Sequence, residues 1–384
     1  MREIAKKYRE ELFNNVLPFW MNHSLDQQEG GFFTCLDRNG KVYDTDKFVW
    51  LQARQIWTFA MLYKEEAKAN AQWLSIAHHG ADFLSKYGRD DEGQWYFSLR
   101  RDGKPLVKAY NIFSDCFACM GFGKLFQVTQ DEKHATIALE AFNNIQVRKD
   151  NPKGIYNKQI ADNRPLKNFA LPMIICNLAL EIEPLLDRQT VEKTIEECLH
   201  EVMNVFYDEQ TGIILENVTP EGKFDDSFDG RLMNPGHAIE AMWFVMDLGQ
   251  RLGKTELIKE AAERGISMLE KGWDEIHQGI FYFLDAKGHP TQQLEWDQKL
   301  WWVHLETLVF LSKSIHLLGD QKFYDWFNKV HHYTWHHFAD PGYGEWWGYL
   351  NRKGEVLKTL KGGKWKGCFH VPRALYQCSK LLDR

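Results

Sequence analysis

The 384-residue sequence predicts an all-α fold, an (α/α)6 barrel of twelve helices with short β-hairpins in the loops at one end. Three observations carry that prediction. A glycine-led aromatic motif recurs six times, the stretches between copies have helical periodicity, and the stretch after each copy is more apolar than the one before it.

The motif is a leading Gly, then apolar or aromatic residues alternating with others, then a polar turn that usually ends in Gly. It reads Gly31-Phe-Phe-Thr-Cys-Leu-Asp-Arg-Asn-Gly40 at its first copy and Gly93-Gln-Trp-Tyr-Phe-Ser-Leu-Arg-Arg-Asp-Gly103 at its second. Further copies start at Gly154, Gly212, Gly279 and Gly344, so the leading glycines are 62, 61, 58, 67 and 65 residues apart. Alternation closed by Asn-Gly, Asp-Gly or Lys-Gly predicts short strands and hairpin turns.

Between copies the spacing predicts helices over 2–23, 46–66, 69–87, 109–128, 130–147, 166–182, 187–207, 232–252, 255–273, 297–317, 320–337 and 367–381. Ala241-Met-Trp-Phe-Val-Met246 follows a motif, whereas the charged Glu192-Lys-Thr-Ile-Glu-Glu197 precedes one. An enclosed helix is apolar on most sides and an outer one on a single stripe, so the post-motif helices form the inner ring. Their N-terminal turns then converge at one end, under the hairpins. An open six-hairpin solenoid would need a polar cap at each end, and no clear change in composition marks one. Without a linker or low-complexity stretch, residues 1–384 read as a single domain.

The formal net charge of -6 is spread without long runs of one sign, which excludes a nucleic-acid footprint and an anionic-membrane binder. No apolar stretch approaches the ~20 residues of a membrane span. Residues 1–12 are charged and helical in character, with no signal-peptide pattern. The 15 Trp, 14 Tyr and 25 Phe fit a large core and a site where ring faces stack on sugar C–H faces. Seven scattered cysteines read as reduced thiols in a cytoplasmic protein, and the Cys116-x-x-Cys119 pair, inside an apolar helix, reads as core packing. Gly121-Phe-Gly-Lys124 fails as a phosphate loop, with Ala118 and Leu125 at positions that need Gly and Ser or Thr. No His-Glu-x-x-His or Cys/His cluster is present, and His304 and Glu306 are only two apart, so no metal is expected.

The early turns of the inner helices supply the candidate site. They offer Arg54; Asp115 near Asn111; Asn168, Pro172, Met173 and Asn177; His237 and Glu240; Trp302 and Glu306; and His370 and Arg373. Within each of the last three helices the pair is three or four residues apart and shares one face. Asn234 is a plausible cap for the helix bearing His237, with Pro235 at its first position. Since the fourth and sixth inner helices flank the fifth, His237 and His370 can face each other across a pocket with Glu306 between them.

Several stretches then resemble the N-acylglucosamine 2-epimerases, also called renin-binding proteins in animals. They are Gly30-Gly-Phe-Phe33, Trp50-Leu-Gln-Ala-Arg-Gln55, Met120-Gly-Phe-Gly-Lys-Leu125, Asn234-Pro-Gly-His237, Lys299-Leu-Trp-Trp-Val-His-Leu-Glu306 and Phe369-His-Val-Pro-Arg373. The resemblance spans essentially the whole chain and implies the same barrel. It implies interconversion of N-acetylglucosamine and N-acetylmannosamine, with His237 and His370 catalytic. It makes Arg54, Glu306 and Arg373 substrate-holding, with Glu240 near the first histidine; Trp302, which shares a helix face with Glu306, is added to the substrate-binding candidates from its position, with core packing as the alternative. Sister families act on cellobiose, mannose or sulfoquinovose. The cellobiose epimerases are rich in His near the start of the third inner helix, where Asn168-Phe-Ala-Leu-Pro-Met173 has none, which favours the N-acyl sugar. No cofactor is required on this reading. Family members often respond to ATP without consuming it, although the sequence shows no nucleotide pocket. The expected state is a cytoplasmic homodimer whose partner is a small amino sugar.

Inverting C2 of an aldose needs a base on each face, and His can act as base or acid near neutral pH. Arg54 and Arg373 are the candidates for stabilising the enolate oxygen at O1. Glu240 and Glu306 would orient a histidine. A glycoside hydrolase on the same barrel would use two carboxylates from Glu240, Glu306 and Asp115 and leave both histidines idle.

Overall fold

The computed structural model describes residues 1–158, 160 and 163–383. Twelve helices form among them. The first, α1, covers residues 2–23 as Arg2–Glu11 and Leu17–His23 joined through a π-helical turn at Leu12–Val16. Then follow α2 (Val49–Glu65), α3 (Ala71–Tyr87), α4 (Phe113–Thr129), α5 (Glu132–Arg148) and α6 (Ala170–Ile182). Next, α7 (Arg188–His200) runs on through a π-helical turn at Glu201–Val205. The last five are α8 (Pro235–Leu252), α9 (Thr255–Gly272), α10 (Trp301–Leu317), α11 (Gln321–His337) and α12 (His370–Leu382).

The even-numbered helices are the inner ring. Each of α2 to α10 packs on the next inner helix and on the outer helix that follows it. The first helix closes the circle: α1 is the outer partner of α12, and the segment before α12 reaches α2. There Thr58 donates its hydroxyl hydrogen to the Cys368 carbonyl at 2.8 Å, and the Trp57 and Phe369 rings meet at 5.3 Å. This closure rules out the open solenoid. Burial follows position. In α10 nearly every side chain is buried, whereas α9 buries only the stripe Ile258, Ala261, Ala262, Gly265, Ile266, Met268, Leu269 and Gly272.

Close approach of α2 and α4 depends on Gly121. A Cβ there would lie 2.7 Å from the Ala53 carbonyl oxygen, a backbone atom that cannot turn aside. This contact accounts for the glycine in the Met120–Leu125 stretch. Gly121→Ala is expected to cost about 1–3 kcal/mol, read as a lowered melting temperature in differential scanning calorimetry.

The inner helices begin three or four residues later than their periodicity predicts, because the residues before most of them are short strands. These are β1 (Lys47–Phe48), β4 (Lys167–Asn168), β8 (Leu232–Met233) and β10 (Lys299–Leu300). Each pairs antiparallel with a strand of the next loop: β2 (Ser98–Leu99), β7 (Asn217–Val218), β9 (Leu284–Asp285) and β11 (Tyr349–Leu350) respectively. Hairpins within a loop also form, as β2 with β3 (Pro105–Val107) and as β5 (Tyr207–Asp208) with β6 (Ile213–Ile214). The loops are therefore stapled sideways around the rim as well as folded on themselves. Of the third motif, Gly154–Tyr156 is a 3-10 turn, and residues 159, 161 and 162 lie outside the described residues.

Buried charges lock the staples. Asp26 N–H bonds the Gly31 carbonyl and Asp274 N–H the Gly279 carbonyl, at 3.0 and 2.9 Å, so two distant copies of the motif fold alike. Asp26 takes Lys47 from β1 at 3.0 Å and Arg101 from the next loop at 2.9 Å. Asp274 takes Lys299 from β10 and Arg352 from the next loop, both at 3.1 Å. The arginine and lysine hold the Asp26 carboxyl below its usual range against the opposing effect of burial. The seven cysteines are free and buried, Cys116 and Cys119 among them.

Candidate active site

The site lies under the stapled loops, where α8, α10, α12 and α2 start. The Asn234-Pro-Gly-His stretch can be accounted for residue by residue. Asn234 caps α8, its side chain accepting the His237 N–H at 3.1 Å. Pro235 takes the first helical position, where a missing N–H costs nothing. Gly236 lets the helix start against α10, since a Cβ there would meet the Trp302 ring at 2.7 Å. His237 then projects beside that same ring, the two centroids 5.3 Å apart.

From the other side, His370 opens α12 and lies 6.0 Å from the Trp302 ring. Trp302 thus has a histidine at either hand. Each histidine is fixed through Nδ1 to a carboxylate. His370 donates Nδ1–H to Glu306 at 2.7 Å, and His237 donates Nδ1–H to Glu216 at 3.0 Å. Those bonds occupy Nδ1 and leave Nε2 of both rings as the nitrogen available for proton exchange.

Behind His370 is a buried charge cluster. Arg373 bonds Glu240 at 2.6 Å and Glu306 at 2.8 Å, and Trp243 donates its indole N–H to Glu306 at 3.1 Å. Oxygens of Glu240 and Glu306 and a ring nitrogen of His370 all lie within 4.8 Å of one another. This donor set resembles a metal site, but the Arg373 guanidinium already bridges both carboxylates. Arg54 from α2 lies among aromatic faces, 4.4 Å from Trp50, 3.9 Å from Phe117 and 4.7 Å from Phe369. Its Nε has no hydrogen-bond partner although the residue is only 8% exposed. A buried guanidinium with a free donor is poised for an anionic ligand atom.

The two imidazoles are in unlike fields. Burial pushes His370 well below the ordinary histidine value, the charges of Arg54 and Arg373 push it further, and Glu240 opposes them. For His237 burial also lowers the pKa, but the charge and hydrogen bond of Glu216, with Glu240 further off, outweigh it and raise the group. Glu306 is raised by burial, against the pull of Arg373 and Trp243. Burial and the charge of Arg373 also lower Arg54 to about 9, against Glu240 and Glu306.

Of the sequence candidates, His237, Glu240, Trp302, Glu306, His370, Arg373 and Arg54 come together. Glu240 needs a correction: its bonded partner is Arg373 rather than the first histidine. The residue that orients His237 is Glu216, which sequence reasoning missed. Glu216 is in a loop, after β6, where helical spacing gives no signal. The available sign was an acid at the end of the apolar run Gly212-Ile-Ile-Leu-Glu216. Asp115 belongs elsewhere: Arg148 of α5 holds it at 2.9 Å, and burial raises it to about 7. Asn168 is exposed on β4 and bonds Asn217 at 3.0 Å, and Asn177 faces the Met120 sulfur at 3.4 Å. His304 is spent on the backbone, donating to the Leu300 carbonyl at 2.7 Å and accepting from Ile280 N–H at 2.9 Å. Two clefts of about 510 and 280 Å³, one around Asp90–Gly93 and one around Arg100–Asp102, lie on other loops and contain no histidine. Among the described residues no helix is long and apolar enough to cross a membrane.

The chain is 39% identical to the N-acylglucosamine 2-epimerase of Mus musculus over 389 residues, covering 99% of this chain and 92% of that protein. It is 27% identical to a cellobiose 2-epimerase of Bacteroides fragilis over the full length of both. In three dimensions it resembles the cellobiose 2-epimerase of Bacillus thermoamylovorans, with a TM-score of 0.83 at 19% identity over 99% of this chain and all of the other. Residues 31–374 match the sequence model of the N-acylglucosamine 2-epimerase (GlcNAc 2-epimerase) family, and with that match and 39% identity to the mouse enzyme along nearly the whole of both chains, this chain belongs to that family.

Proposed function

We propose that this protein interconverts N-acetylglucosamine and N-acetylmannosamine by inverting C2. The observation that carries the reading is the pair of imidazoles from α8 and α12, both against Trp302 and each tied through Nδ1 to its own carboxylate. The sugar reacts in its open-chain form, because the aldehyde at C1 makes the C2 hydrogen acidic. One Nε2 takes that proton, and the bonding pair moves into C1–C2 as the C1 oxygen becomes an enolate. The other Nε2–H returns a proton to the opposite face, and the aldehyde reforms. Arg54 is the group suited to the enolate oxygen, since Arg373 is committed to two carboxylates. Trp302 offers a platform for the carbon chain. The aldehyde itself supplies the acidity, so the scheme needs no cofactor.

The seven free thiols support action in a reducing compartment such as the cytoplasm, and the family resemblance implies a homodimer. Incubation with N-acetylglucosamine in heavy water, followed by NMR, tests the reaction. The expected product is N-acetylmannosamine carrying deuterium at C2. A ketose, or turnover of glucose, mannose or cellobiose in preference to the N-acetyl sugars, would overturn the assignment.

A further inference from the structure

We propose that Glu216 is a positioning residue that makes the two histidines unequal, so that the free enzyme rests with its one catalytic proton on His237 and with His370 bare. The inference rests on the two-histidine reading and adds to it which ring begins as acid and which as base.

The geometry is asymmetric. Glu216 is held by its backbone to the segments that launch two inner helices. Its N–H bonds the Leu232 carbonyl at 3.0 Å, just before α8, and its carbonyl accepts from Phe169 N–H at 2.9 Å, just before α6. Its side chain is thereby aimed at His237, and both carboxylate oxygens reach Nδ1, at 3.0 and 3.1 Å. No arginine or lysine joins this carboxylate among the described residues. The charge that neutralises it is an imidazolium. Facing the same ring are Glu240 from its own helix and the uncharged Trp302 from α10, while the Tyr282 hydroxyl lies near Glu216.

Around His370 the charges already balance without it. Glu306 of α10 and Glu240 of α8 are matched by Arg373 of α12 and Arg54 of α2, and Lys366 of the preceding loop is matched by Glu345 at 2.7 Å. A proton placed on His370 would be one positive charge too many in a buried site. The field around each ring supports this distribution, raising His237 and lowering His370. Two like groups driven apart by their surroundings define an acid and a base.

In a turnover that starts from this form, His370 Nε2 accepts the C2 proton and His237 Nε2–H delivers one to the other face. The enzyme is left with His370 protonated and His237 neutral. It resets by releasing the first proton to water and taking another on His237. The same singly protonated enzyme serves both directions, because its two forms differ only in which ring holds the proton. The kcat/KM profile is therefore a bell of one shape for either epimer, its alkaline limb set by His237 and its acid limb by His370.

The test is the kcat/KM profile of Glu216→Gln beside the wild-type enzyme, with Glu216→Asp as the charge-conserving control. The expected result is an alkaline limb lowered by about one pH unit or more in Glu216→Gln and kept near its wild-type position in Glu216→Asp, with the acid limb unmoved in both. A merely structural role would lower the plateau and leave the limbs in place, which would overturn the proposal while the epimerase reading stands. Histidine ring NMR titration of the wild-type protein decides the same point without any variant. His237 losing its proton at higher pH than His370 is the expected order, and the reverse order overturns it. Absence of any C2 exchange in the wild type would instead be a failure of the functional reading.

Discussion

Replacing His370 by asparagine is expected to lower epimerisation at least ~10²-fold with either N-acetyl sugar, with little change in melting temperature. Asparagine keeps a polar group near Glu306 and removes the only nitrogen able to take or give a proton at that wall. His237→Asn is expected to do the same from the other wall. The more telling readout is hydrogen exchange. A variant with one remaining imidazole can still deprotonate the epimer whose C2–H faces that ring and return solvent hydrogen to the same side. Each variant is therefore expected to wash deuterium into one epimer and not the other, with the preference reversed between the two. Near-wild-type turnover in both variants would end the two-base scheme. Exchange of the same epimer by both variants would show that the rings do not face opposite sides of one carbon.

Arg373→Met is expected to have the largest effect on the folded state, about 3–5 kcal/mol of stability, together with loss of activity. The guanidinium is 2% exposed and is the cation between Glu240 and Glu306. Methionine fills much of the volume and leaves two carboxylates, already within 4.8 Å of one another, buried one counter-charge short, with Arg54 alone facing two negative charges. The pH dependence follows from that. Without Arg373 the folded-state pKa of Glu306, already raised by burial, rises further above the unfolded one, so the deficit is full near neutral pH. It shrinks as pH falls towards the ordinary glutamate value of about 4.3, because protonation removes the unpaired charge. Denaturant unfolding at several pH values reads it. Adding Glu240→Gln to Arg373→Met is expected to return part of the stability and none of the activity, since Glu306, which accepts the His370 Nδ1–H, still lacks the arginine that holds it. A deficit that is the same at all pH values would mean that the loss is one of packing rather than charge.

Most of the architecture was legible in the chain. A helix is a local object, and the alternation of apolar inner and half-polar outer segments leaves its record every three or four residues. The repeat of about sixty residues, led by glycine, fixed the number of pairs. The first helix is the exception: its order in the chain does not reveal that it becomes the outer partner of the last, because that contact joins residues hundreds of positions apart. The strand staples were only half legible. Lys47–Phe48 and Lys299–Leu300 are too short to show a period of their own, and their apolar residues merge with the helix that follows.

Of the site, the residue types and their helix faces could be read from Asn234-Pro-Gly-His237 and Phe369-His-Val-Pro-Arg373, because spacing along a helix determines which side chains share a face. What each carboxylate is paired with could not. Glu240 shares a helix with His237 and yet bonds Arg373 from α12, while His237 is held by Glu216 from a loop. Asp115, equally early on an inner helix, is taken by Arg148 behind it. The sequence by itself determined a ring of twelve helices and the imidazoles that converge at one end of it. Only the tertiary structure decided which charges neutralise which, because an ion pair depends on distance through space, to which position along the chain is no guide.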